Sequence, residues 1–189
     1  MNRILSRLFI LVVAALAVLG VVSPASAVTS PYCGITWGSQ LEQAGQLIQG
    51  PITDLRAGRH ACFDRLVVDI GGPASTAVGY RVEYVPRVTH DGSGASIPLR
   101  GAADLQIVVL APGHNELGRP TYEPADVTEA VNVAGFDTFR QVAWGGTFEG
   151  QSLVGLGVRA RLPFRVFALT GIPGSTNGVR LVVDVAHRW

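Results

Sequence analysis

From Phe63 to the C-terminus, short apolar segments recur roughly every ten residues and are separated by Gly and Pro. Within them the side chains alternate. Leu66, Val68 and Ile70 alternate with Val67 and Asp69, and Tyr80, Val82 and Tyr84 alternate with Arg81 and Glu83. Leu105, Ile107 and Val109 keep the same period, as do Phe164, Val166 and Ala168 against Arg165, and Leu181 to Val185 closes the series. A period of two with polar residues on the other side belongs to strands that bury one face. The pattern predicts an all-β chain folded as a single β-sandwich or barrel. The doublets Val67-Val68 and Val108-Val109 predict central strands covered on both faces. His90-Asp91-Gly92-Ser93-Gly94 reads as a tight turn, since Gly supplies positive φ. Helical patterning is confined to Ser39 to Ile48 and Asp126 to Val131.

The N-terminus has a different character. Arg3 and Arg7 precede an uncharged apolar run, Leu8 to Val22, then Pro24 and the small residues Ala25-Ser26-Ala27. That order is the layout of a cleavable secretory signal, residues 1–27, and the run is shorter than the ~20 residues of a membrane span. Cleavage after Ala27 leaves 162 residues (189 − 27), one domain of ordinary size. Residues 28–53 read as a polar, Gln-rich N-terminal arm, and residues 54–189 as the sandwich. The cysteines are Cys33 and Cys62. In an exported chain this pair reads as a disulfide tethering the arm, worth roughly 3–4 kcal/mol for a loop of this length. The rival reading, Cys62 as a nucleophile, requires a thiol that stays reduced outside the cell.

Composition removes whole classes of chemistry. Every basic residue is Arg, so a Schiff base, a Ser-x-x-Lys nucleophile and a phosphate-cradling Gly-Lys-Ser/Thr loop are all excluded. Thirteen arginines against fourteen acids give the mature chain a net charge of −1, with no basic patch for nucleic acid and no support for membrane binding after signal cleavage. His60, His90, His114 and His187 fall at no metal-ligand spacing, and no Gly-x-Ser-x-Gly elbow occurs. Asp64 and Asp69 lie five positions apart on one strand, hence on opposite faces. They read as a strand-end charge and an exposed strand residue rather than a catalytic pair. No catalytic residue, metal or cofactor is expected, and a hydrolase ranks last among the readings.

One internal echo stands out. Asp64-Arg65-Leu66-Val67-Val68-Asp69-Ile70 parallels Val179-Arg180-Leu181-Val182-Val183-Asp184-Val185, which predicts two-fold related strands in two halves of one sandwich. Arg65 and Arg180 are placed to pair with Asp184 and Asp69 across the sheet. Binding candidates are Arg56, His60 and Arg65, in the densest polar run, and Trp144, beside Gly145-Gly146 where a ring could be presented. Guanidinium groups fork onto carboxylates, and an indole can lie against a sugar ring. The competing reading makes the polar run a solvated lead-in to the first strand, and Trp144, Tyr80 and Tyr84 core residues.

The segments His60–Arg65, Gly79–Val85, Asp91–Gly94, Arg119–Tyr122, Phe148–Gly150, Pro163–Val166 and Arg180–His187 resemble the AMIN-like domain of actinobacterial secreted proteins, over about Asp54 to His187. The resemblance implies a sandwich of two small, pseudo-two-fold related sheets and a non-catalytic role at the cell envelope. It also implies binding to peptidoglycan or another wall polymer. The alternative is a module that binds an envelope protein through a surface or a strand edge. The cysteine pair and the Gly174-Ser175-Thr176-Asn177 loop lie outside the family pattern.

Overall fold

The computed structural model describes residues 31–74 and 77–189; the expected signal segment, residues 1–27, lies outside them. Nine strands form among the described residues: β1 Glu42–Ala44, β2 Ile52–Arg59, β3 Phe63–Ile70, β4 Gly79–Val85, β5 Ala103–Leu110, β6 Phe139–Phe148, β7 Gln151–Val158, β8 Phe164–Ile172 and β9 Ser175–Ala186. They build two antiparallel sheets, β1-β4-β5-β7-β6 and β2-β3-β9-β8. The chain is therefore all-β, a sandwich, as its periodicity requires.

The alternation places the core. Leu66, Val68, Ile70, Leu181 and Val183 of the four-stranded sheet meet Leu105, Ile107, Val109 and Leu156 of the five-stranded sheet. Each sheet is built around two hairpins: β2-β3 with β8-β9, and β4-β5 with β6-β7. The β6-β7 hairpin turns on Glu149 and Gly150, both at positive φ (49° and 81°), as a two-residue turn matching strand twist requires.

Both Val-Val doublets are buried on both faces. Residues 86–102, between β4 and β5, fold over the outer face of the five-stranded sheet. There Val88 and Ile97 pack on Val108, Ala143 and Leu153. Gly157 permits that close approach, because a Cβ there would stand 2.0 Å from the Arg100 carbonyl oxygen. The predicted turn at His90–Gly94 forms, with Gly92 and Gly94 at positive φ. The Asp126–Val131 pattern becomes one 3-10 turn, Val127–Glu129, whose Thr128 amide is capped by the Asp126 carboxylate.

The helix expectation in the N-terminal arm is corrected. Ser39 to Ile48 is not helical. Glu42–Ala44 instead pairs with Tyr80–Val82 and covers the open edge of β4, and Gly45 at φ +70° lets the chain pass within contact of the Val78 carbonyl. A ten-residue helix is marginal alone, whereas an exposed sheet edge offers unpaired amides and carbonyls at once. The echoed strings fall in the two hairpins of the four-stranded sheet, one on β3 and the other on β9. They are direct neighbours, pairing Arg65 with Asp184, Val67 with Val182, and Asp69 with Arg180 in register. Cys33 and Cys62 are disulfide-bonded, which fixes the start of the described chain beside β3.

Tyr84 joins β4 to the β7-β8 connection: its hydroxyl donates to the Leu162 carbonyl (2.7 Å) and accepts from the Leu162 amide (3.1 Å). Burial pushes this phenol up to about 12 from an ordinary 10. The fold therefore favours the protonated form, so its contribution is complete below the unfolded pKa and lost as pH rises from 10 towards about 12. Tyr84→Phe should cost about 1–3 kcal/mol near neutrality, through the lost bond and the stranded Leu162 groups. Urea midpoints should show the gap between parent and variant closing as the pH is raised through that window. A gap that is constant, or widens, contradicts this role.

Candidate functional site

The face of the four-stranded sheet turned away from the core carries the densest polar chemistry in the described chain. Strand parity dictates its members. On β3 the outward positions are Phe63, Arg65, Val67 and Asp69; on β9 they are Arg180, Val182, Asp184 and Ala186; on β8 they are Arg165 and Phe167; on β2 they are Arg56 and Gly58. The register then lays Gly58, Arg65, Asp184 and Arg165 in one row across four strands.

Asp184 has no exposed surface, although it points away from the core. Arg65 donates to it twice (Nε 2.6 Å, Nη2 2.9 Å), and Arg165 donates from the other side through Nε (2.8 Å), with its Nη2 2.7 Å from the same oxygen. One carboxylate between two guanidinium groups leaves the cluster with a net charge of +1. Aromatic rings wall it in. The Arg65 guanidinium lies 5.1 Å from the Phe63 ring and 5.5 Å from Phe167. That of Arg165 lies 5.0 Å from Phe167, 5.4 Å from Trp37 and 5.5 Å from Phe63. These distances fall within cation–π range. His60 stacks on Phe63 at 4.6 Å, and Trp37 is held by its indole N–H donating to the Tyr32 carbonyl.

Nearby, Arg56 forks onto Asp69 (2.6 and 2.8 Å), and that hydrogen bonding raises the guanidinium pKa above its ordinary value. Such a surface can hold an anionic oxygen between guanidinium groups and set rings against an apolar ligand face.

Of the four residues expected to bind, Arg56, His60 and Arg65 gather on this face. Trp144 does not. It sits on the inner side of β6, 9% exposed and edge-to-face with Tyr122 at 5.1 Å, because strand parity sends it into the core with Val142. Tyr80 and Tyr84 pack on the core as well.

The anticipated Arg65–Asp184 pair forms, but Arg180–Asp69 does not. Arg56 reaches diagonally across from β2 and takes Asp69, while Arg180 donates to the Gly171 and Thr170 carbonyls. Asp64 and Asp69 do lie on opposite faces, but neither is exposed: a carboxylate can be buried when donors surround it, and these have them.

Residues that sequence reasoning passed over are Trp37, Phe63, Phe167 and Arg165. The alternation of Pro163-Phe164-Arg165-Val166-Phe167 already puts Arg165 and Phe167 on one outward face. Among the described residues, one trio has metal-ligand character: Asp64, Asp137 and His187, with ligand atoms all within 4.8 Å of one another.

Fold and face together define a disulfide-bonded antiparallel β-sandwich whose solvent side carries an arginine–aromatic cluster. A family model for the AMIN-like domain matches residues 50–187, and the chain belongs to that family. The family is linked to cell-envelope interactions, and no helix among the described residues is long and apolar enough to cross a membrane. Comparison with curated proteins returns no significant match.

The two arginine clusters differ in redundancy. Arg56→Ala removes the only side-chain partner that the Asp69 carboxylate has among the described residues and should cost about 2–4 kcal/mol. Arg165→Ala leaves Asp184 forked by Arg65 and should cost less than about 1.5 kcal/mol. Denaturant unfolding of both variants checks the order; equal costs, or the reverse, contradict it.

Proposed function

We propose that this chain is an exported, non-catalytic module of the cell envelope that binds peptidoglycan through the outer face of the four-stranded sheet. The observation that carries the reading is the pair of half-exposed guanidinium groups on Asp184, Arg65 at 24% and Arg165 at 31%, set among Trp37, Phe63 and Phe167. Peptidoglycan offers what such a face recognises: stem-peptide carboxylates for the surplus positive charge, and sugar rings whose apolar sides suit aromatic planes. Arg165 is the principal anion contact, since Asp184 keeps Arg65 if Arg165 turns towards a ligand. Trp37 and Phe167 are the stacking surfaces. The N-terminal signal pattern and the disulfide support export.

Co-sedimentation with purified sacculi tests the reading. Arg165→Ala and Trp37→Ala should each weaken binding about ten- to a hundredfold, the loss expected for one charge-assisted or stacking contact, with little change in thermal midpoint. Arg81→Ala, on the five-stranded sheet, should bind like the parent. The reading fails if both site variants bind like the parent. It also fails if the parent ignores sacculi and instead captures an envelope protein that survives muramidase treatment, which would favour the interaction-module alternative.

A further inference from the structure

Three carboxylates are buried among the described residues: Asp64, Asp69 and Asp184. Asp69 and Asp184 are each forked by arginine. Asp64 is not. It points into the sandwich, and its Oδ2 accepts the backbone amides of Thr138 (2.5 Å) and Phe139 (3.0 Å). Its Oδ1 faces His187 Nε2 at 3.2 Å. An imidazole carries charge only when protonated, so the most enclosed carboxylate on β3 lacks the permanent counter-charge that the other two possess.

A third group completes the arrangement. Asp137 Oδ2 lies 3.8 Å from the same His187 nitrogen. Asp64 comes from β3, Asp137 from the residues leading into β6, and His187 from just beyond β9.

We propose that Asp64, Asp137 and His187 form a binding site for a divalent transition-metal ion, zinc being the best match. Zinc takes imidazole nitrogen and carboxylate oxygen at about 2.0–2.2 Å, and tetrahedral ligands at that radius stand roughly 3.3 Å apart. The 3.2 and 3.8 Å separations at His187 are close to that edge length, and all three ligand atoms fall within 4.8 Å.

The surrounding hydrogen bonds suit the role. Two amides fix Asp64 through Oδ2 and leave Oδ1 for the ion, as second-shell donors do around metal carboxylates. Asp137 is 45% exposed and gives the ion its route in. Arg59 competes, since its Nε donates to the same Asp137 Oδ2 at 2.9 Å, but it is 58% exposed and free to swing into solvent. The ion would neutralise Asp64 and tie the four-stranded sheet to the start of β6. It lies outside the proposed binding face and implies no catalysis.

Tag-free protein, stripped with chelator and dialysed against zinc, tests the site by bound metal per chain and by thermal midpoint. The parent should bind one zinc ion per chain and gain several degrees. Asp137→Asn, a surface change that leaves the Asp64 amide bonds in place, should lower affinity at least about tenfold. His187→Gln should lower it further, and Arg59→Ala should raise it by freeing Asp137. His90→Gln and His114→Gln, at histidines outside the trio, should bind like the parent. The site is refuted if the parent takes up no zinc at neutral pH. It is equally refuted if Asp137→Asn and His187→Gln bind zinc as the parent does.

Discussion

The Asp184 carboxylate is the constraint on which the four-stranded sheet depends. It is fully buried on the side of the sheet that turns to solvent, and a buried charge persists only with partners in place. Arg65 on one neighbouring strand and Arg165 on the other supply three hydrogen bonds and one further close ion contact. This fixes register. A one-residue slip between β3 and β9 would turn Asp184 into the apolar core and expose Leu66 or Val183. Arg56 on Asp69 locks β2 in the same way, so all four strands are indexed by ion pairs on one face and by Leu and Val packing on the other.

The same pairing shapes the surface. Two guanidinium groups on one carboxylate leave a surplus positive charge. The rings of Phe63, Phe167 and Trp37 hold those groups in plane, which reduces the side-chain entropy a ligand would otherwise have to remove. Stability and the proposed recognition thus draw on one cluster, with Arg65 weighted towards the fold and Arg165 the more exposed of the two. The disulfide contributes by holding the segment that carries Trp37 against β3.

Much of this was legible in the residues. Period-two alternation located β3, β4, β5, β8 and β9, and a cysteine pair behind a signal-like N-terminus implied the bond. The echo of Arg-Leu-Val-Val-Asp in both strings anticipated the Arg65–Asp184 pair, though not that the two strings lie side by side. What stayed hidden depends on tertiary contact. Glu42–Ala44 has no strand signature and pairs because β4 leaves an edge open. Trp144 beside two glycines looks presentable until parity sends it inward. Asp69 meets Arg56 rather than Arg180 because a diagonal partner on β2 competes with the one directly opposite. Asp64, Asp137 and His187 are too scattered in the chain for any spacing rule to join them.

The most direct measurement is a heteronuclear NMR titration of the labelled protein with soluble muropeptides. The Trp37 indole N–H, which donates to the Tyr32 carbonyl at 2.9 Å, and the Nε–H groups of Arg65 and Arg165 should shift in a saturable way. The Trp144 indole, in the core on β6, should stay in place. Shifts confined to the five-stranded sheet, around Gln106 or Trp144, or no saturable shift at all, would contradict the assignment of the outer face of the four-stranded sheet as the binding surface.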